Sequence, residues 1–178
     1  MATELIAQAL ADRRDALVRD AVEGYAARIP SYAEGSERLL EDARRHTETH
    51  HDLLCAVLRR GTAAKPGELR FIEEHAALRA RQGVPLADFL AAFRTYNRIV
   101  WDAVLDASAT SPEATAQALA AAGAVIGYVD VVTTRASGAY LDAQQLLLAD
   151  SDRARRDLLE DLLEAGSPQT AAGLAVAR

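Results

Sequence analysis

The side chains that could do chemistry here are few, and most of them are histidines. His46, His50 and His51 fall within one short run, His46-Thr47-Glu48-Thr49-His50-His51, and His75 stands apart. His46 and His50 are four positions apart, so on a helix both imidazoles leave the same face, an acceptable spacing for two metal ligands. Glu48 and Asp52 lie nearby, but no HExxH pattern and no second group of ligands accompanies them, and a solvated or partly buried structural pair is the plainer reading. No metal is therefore expected. His75 has Phe71 and Leu78 at helical spacing and could face an apolar pocket, which makes it the one position to consider as a haem ligand. A core-edge histidine bonded to backbone or water is the commoner role for such a residue. Cys55 sits among apolar neighbours, as a core thiol does and a nucleophile does not. No carboxylates stand out as a buried pair for acid–base work, and neither GxSxG nor a glycine-rich phosphate loop occurs. The expectation is a protein that binds rather than reacts: no enzyme, and no cofactor.

These residues need elements to hold them, and the composition says which kind. The 178 residues are 50% hydrophobic but only 5% aromatic, and alanine and leucine dominate, which favours close-packed helices over strands. The formal net charge of −6 argues against direct binding to nucleic acid or an anionic membrane. One cysteine excludes an internal disulfide framework. The amino-terminal residues lack the pattern of a secretory signal, and no apolar run reaches the roughly 18 residues of a membrane span. A soluble, cytoplasmic protein with no membrane contact is expected.

Along the chain, periodicity predicts a helix over Thr3–Ile29, stopped by Pro30. In the link that follows, Ser31 with Glu34 matches a capping box and Ser36 is a plain N-cap. Helix two covers Glu37–Arg60, which carries the histidine run, and ends at Gly61. Helix three covers Glu68–Gln82 and ends at Gly83. The central helix begins after Pro85 and places Leu86, Phe89, Leu90, Phe93, Tyr96, Asn97, Val100, Trp101, Val104 and Leu105 on one wide face. It holds two of the three phenylalanines and the only tryptophan. Ser111-Pro112-Glu113 restarts a long fifth helix that reaches Leu147. The β-branched run Val129–Thr134 falls inside its pattern and reads as helix.

After Asp150 the character changes: a charged stretch with Arg153, Arg155 and Arg156 leads into a leucine stripe at Leu158, Leu159, Leu162 and Leu163. Ser167-Pro168-Gln169 then starts a last helix without a stop signal, as in a piece of a longer chain. The prediction is an all-α protein: one helical-bundle domain of about five long helices over residues 1–150, with a globin-like arrangement as one form of it. A helical connector follows over residues 151–178. If a ligand is bound, Phe93, Tyr96, Asn97, Val100 and Trp101 are the expected lining.

The run Arg79–Val104, with Ile29–Tyr32 before it and Arg155–Gly166 after it, resembles the amino-terminal sensory region of PucR/CdaR-like bacterial transcriptional regulators. That region is similar to the domain named for the amino terminus of the RsbT co-antagonist RsbRD. The residues that carry the resemblance are Arg81, Gly83, Val84, Leu86, Leu90, Phe93 and Trp101, with Tyr128-Val129-Asp130 on the long helix. The resemblance implies an all-helical, non-enzymatic input domain that responds to a small molecule or a protein, followed elsewhere by a helix-turn-helix that contacts DNA. It supplies no catalytic residues. A homodimer is expected, and a haem or gas sensor at His75 and a metal-dependent bundle enzyme at His46 and His50 are the competing readings.

Overall fold

A computed structural model describes residues 3–165, and within them every regular element is helical. In chain order these are α1 (Glu4–Asp12), α2 (Arg14–Arg28), α3 (Pro30–Ala33), α4 (Glu37–Arg60), a 3₁₀ turn (Pro66–Leu69), α5 (Arg70–Arg81), α6 (Leu86–Ser108) and α7 (Pro112–Ala165). The all-α expectation holds, with a larger number of helices. The predicted last helix after Ser167 lies outside the described residues.

The expected first helix is two. It breaks at Arg13, whose N–H turns back to Leu10 and Ala11, although neither glycine nor proline is present. Tertiary packing supplies the reason. The carbonyl of Leu10, left at the break with only a 3.3 Å bond from the Arg13 N–H, also accepts from His51 Nε2 on α4 at 3.1 Å. The bend lets α1 lie on α4, α6 and α7 while α2 packs on α4 and α6. Pro30 ends α2 as expected, but the link after it winds into one helical turn that buries Tyr32.

Ser36, not Ser31, caps α4: its Oγ accepts the N–H of Leu39 at 3.2 Å. Ser31 instead gives both its N–H and its hydroxyl to Asp88 Oδ2 on α6. Ser36→Ala should therefore cost about 1 kcal/mol of unfolding free energy, a typical N-cap loss, readable from a urea midpoint. Gly61 and Gly83 end α4 and α5 with φ of +67° and +72°, where a side chain would be strained. Helix three starts late because its first turn, beginning at Pro66, is 3₁₀. Glu68 anchors that turn by accepting the Lys65 N–H at 2.7 Å and both arms of Arg60 at 2.6 Å. Those bonds to Arg60 and the Lys65 backbone pull its carboxyl down to about 2.

α6 runs through the middle, burying Phe89, Ala92, Phe93, Tyr96, Val100, Ala103 and Val104. This face is narrower than the predicted stripe. Asn97 is half-buried, Trp101 is 37% exposed and Leu105 is 60% exposed.

α7 starts as predicted, with Ser111 Oγ accepting the N–H of Ala114 at 3.1 Å. It then continues for 54 residues, about 80 Å at 1.5 Å per residue. The charged stretch after Asp150 does not interrupt it. Ala114, Ala118, Ala121, Val125, Tyr128, Val132, Ala136 and Tyr140 are buried at steps of three and four, and α5 and α6 are its main partners. Small alanines let the helices approach closely. From residue 144 to 163 every side chain is exposed, including Leu146, Leu147, Leu148, Leu158, Leu159, Leu162 and Leu163.

The helix contains an 18-residue window with mean hydropathy 1.5 and at most two charged residues, long and apolar enough by composition to cross a membrane. Alanine and glycine interspersed with valine make that window, so no single apolar run announces it. Its buried face is the one packed on α5 and α6.

Candidate functional site: a buried histidine cluster

α4 and α5 lie side by side, and their facing turns bring His75 against His46. The two imidazoles stack face to face, with centroids 3.7 Å apart and planes at 11°. His50, one turn further along α4, follows at 6.1 Å from His46. Phe93 on α6 meets both His46 and His50 edge-on, and Tyr96 meets His50 in the same way. Tyr25, Tyr32, Ala43, Thr47, Phe89 and Ala92 complete the lining of a small cavity among these rings. Its volume, as space open to the centres of water-sized spheres, is about 20 Å³.

Hydrogen bonding fixes several protons. A carbonyl only accepts, so His51 carries its hydrogen on Nε2, toward Leu10, and its Nδ1 accepts from Tyr96 Oη at 3.0 Å. His51 is fully satisfied. Tyr128 on α7 donates to the His50 carbonyl at 3.2 Å, so His50 Nδ1, 3.3 Å from the same phenol oxygen, is the donor of that pair. The Nε2 of His50 is then an open lone pair. It has no partner, and neither has Nε2 of His46; both atoms are sealed from solvent. Thr47 donates to the Ala43 carbonyl, so Tyr25 Oη, 3.1 Å from Thr47 Oγ1, donates to Thr47.

Behind the cluster lies Arg79, with no exposed surface at all. Its Nε donates to His75 Nε2 at 3.2 Å, its other nitrogens reach Gln82 Oε1 and the Leu39 carbonyl, and its plane sits 5.7 Å from the Tyr32 ring centroid. All of these acceptors are neutral, and no carboxylate stands within ion-pair distance. Asp42 is reached only at one remove, by Gln82 Nε2 at 3.4 Å.

Such surroundings keep the imidazoles uncharged. Burial, then the Arg79 charge, holds His75 down at about 3. Burial, then His51, holds His50 at about 3. Burial, followed by His75 and His50, holds His46 well below the ordinary histidine range. Cys55 is buried on α4, 3.5 Å from His51, and burial pushes its thiol up to about 11, which keeps it protonated and unreactive.

Of the expected lining, Phe93 and Tyr96 face this cavity. Val100 is buried a turn beyond it, Asn97 is half-buried, and Trp101 lies at the surface. Tyr25, Tyr32 and the histidines line it instead, a grouping across four elements that periodicity on α6 could not reveal. The haem and metal readings both meet geometric obstacles. A haem ligand needs a free imidazole nitrogen in a porphyrin-sized space, but His75 Nε2 is engaged by Arg79 and the cavity is water-sized. The imidazoles stack rather than converge, and among the described residues no three His, Cys, Asp or Glu side chains are placed to hold a metal ion. Arg153, Arg155 and Arg156 lie far along the free half of α7. There Arg153 pairs with Asp150, while Arg156 bonds the carbonyl of Asp152 rather than its carboxylate.

A family model, that of the RsbT co-antagonist protein rsbRD N-terminal domain, matches residues 15–155. The chain belongs to this family. Its matched span runs from the start of α2 through the core half of α7 and into the free half. Searches among curated proteins and among solved structures returned no match.

Proposed function

We propose that this chain is the non-enzymatic input domain of a cytoplasmic transcriptional regulator of the PucR/CdaR kind. It acts as a homodimer and drives a DNA-binding helix-turn-helix placed after it. The observation that carries the reading is α7. One rigid helix is core over its first half, where Tyr128 touches the histidine cluster, and exposed with a leucine-rich surface over its second. A displacement of α7 in the bundle is delivered, without a hinge, to whatever follows the helix. A signal shifts such a switch only by binding one arrangement better than the other. Membership in the RsbRD N-terminal family supports a regulatory role, and the exposed leucines of the free half support pairing between two copies.

The test uses helical phase. Two residues inserted between positions 144 and 157 rotate the downstream segment by about 200°, whereas seven advance it by nearly two whole turns. In the intact regulator, the two-residue insertion should abolish the response of a reporter gene and the seven-residue insertion should largely preserve it. In sedimentation, Leu158→Glu with Leu162→Glu should shift the dimer toward monomer. A response indifferent to phase, or a wild-type chain that stays monomeric, would overturn the proposal.

A further inference from the structure

We infer that the cavity beside His46 and His50 is a binding site for a small uncharged hydrogen-bond donor of one or two heavy atoms, with water as its resting occupant, and that the guest is read out through Tyr128 on α7. The ligand class deepens the input-domain reading and rests on it only for the readout.

Three observations converge on that class. The first is the pair of orphaned nitrogens: Nε2 of His46 and Nε2 of His50 are both sealed from solvent and unpartnered. Buried polar atoms without partners are rare, and each costs about 1–3 kcal/mol if left so. Two of them beside one cavity mark an occupant. The second is size. About 20 Å³ of space exceeds the roughly 10–15 Å³ that one water requires, and it falls far short of a drug-sized pocket. Phe89, Phe93, Tyr25 and Tyr96 wall off anything larger.

The third is charge and hydrogen-bond direction. Arg79 stands behind His75 with no carboxylate in contact, so a cation entering the cavity meets an unneutralised positive charge. An anion would meet the lone pair on His50 Nε2, and the surrounding hydroxyls have no hydrogen left for it. Tyr25 spends its proton on Thr47, Thr47 on Ala43, Tyr96 on His51, and His50 Nδ1 on Tyr128. What faces the space is a lone pair on His50, with His46 free to accept or donate according to its tautomer. The matching guest is neutral and brings its own hydrogen: water, methanol or hydrogen peroxide. Its bond to His50 Nε2 is directly linked to α7, because the opposite nitrogen of the same ring donates to Tyr128.

The experiment is NMR on the chain with ¹⁵N-labelled histidine, using methanol as the uncharged donor, formate as the anion and zinc as the cation. Cross-relaxation from a long-lived water to the ring protons of His46 and His50 is expected in the absence of any probe. Methanol should then move the ring nitrogens of His46 and His50 and the ring signals of Tyr128, saturably, while leaving His51 in place. Ala92→Val, which fills the cavity without touching a histidine, should remove both effects. His50→Gln serves as a second variant if Ala92→Val fails to fold, and should remove the Tyr128 response.

A dry cavity unmoved by methanol would overturn the site. So would a saturable response to zinc or formate, or an equal movement of His51. Movement of His46 and His50 with Tyr128 silent would overturn the readout. An occupied site in a regulator whose reporter ignores helical phase would instead sink the input-domain proposal and leave the binding site standing.

Discussion

Arg79→Ala should lower the unfolding free energy by about 3–5 kcal/mol, among the largest losses a single substitution in this chain can produce. Arg79 is completely covered, and it donates to His75 Nε2, Gln82 Oε1 and the Leu39 carbonyl. Alanine removes those donors together and leaves a void where the side chain packed on Tyr32. Each abandoned buried acceptor costs about 1–3 kcal/mol, and the void adds to it. Arg79→Met distinguishes the contributions. Methionine refills most of the volume and removes a buried charge that has no carboxylate in contact, which by itself is favourable, so this variant should lose less than half as much. Urea denaturation at pH 7 reads both. Equal losses for the two variants would show that packing contributes little, and a loss under about 1 kcal/mol for alanine would contradict the described hydrogen bonding.

The elements of this fold were readable wherever the signal is local. Gly61 and Gly83 mark helix ends through a backbone conformation that other residues avoid, and Ser111-Pro112 marks a start through its own cap and ring. None of these depends on a distant residue. The break at Arg13 does: the Leu10 carbonyl there takes a second bond from His51, far along the chain, and nothing between Thr3 and Ile29 announces it. The unbroken course of α7 was hidden for the opposite reason. A charge-dense stretch resembles a linker by composition, yet it is stable as a solvated helix face.

The site was legible in fragments. The spacing of His46 and His50 correctly places them on one face, but the sequence holds no sign that His75 would stack on that face or that Arg79 would lie behind it. Trp101 shows the limit of periodicity. A stripe at steps of three and four defines a direction only to within part of a turn, and α6 buries the half containing Phe93 and Tyr96 while the edge with Trp101 faces out. Tyr32 came from a link that was expected to be irregular and became a helical turn.

The second large effect is on acid stability. In the unfolded chain an imidazole titrates near 6.5. In the folded chain His50 and His75 are held at about 3 and His46 well below its ordinary range, because burial, then the neighbouring histidines and, at His75, the Arg79 charge oppose protonation. Between those limits the unfolded state binds more protons, so stability rises with pH and is lost as pH falls from 6.5 toward 3. Each histidine contributes up to about 1.4 kcal/mol per pH unit across that window, and three together up to about 4. A typical domain has about 5–15 kcal/mol to lose, so the chain should unfold cooperatively about two to three units below pH 6.5, where the carboxylates also begin to titrate. Glu68, held at about 2 by Arg60 and Lys65, acts in the same direction at lower pH and cannot offset the loss. Urea midpoints at pH 7, 6 and 5 would show the limb. His46→Phe should flatten it by close to one proton, since phenylalanine keeps an aromatic face against His75 and carries no titrating nitrogen. Arg79→Met should flatten it by a smaller amount, because His75 loses its positive neighbour and protonates at higher pH in the folded state. A stability that stays level between pH 7 and 5 would show that these imidazoles are not buried as a neutral cluster.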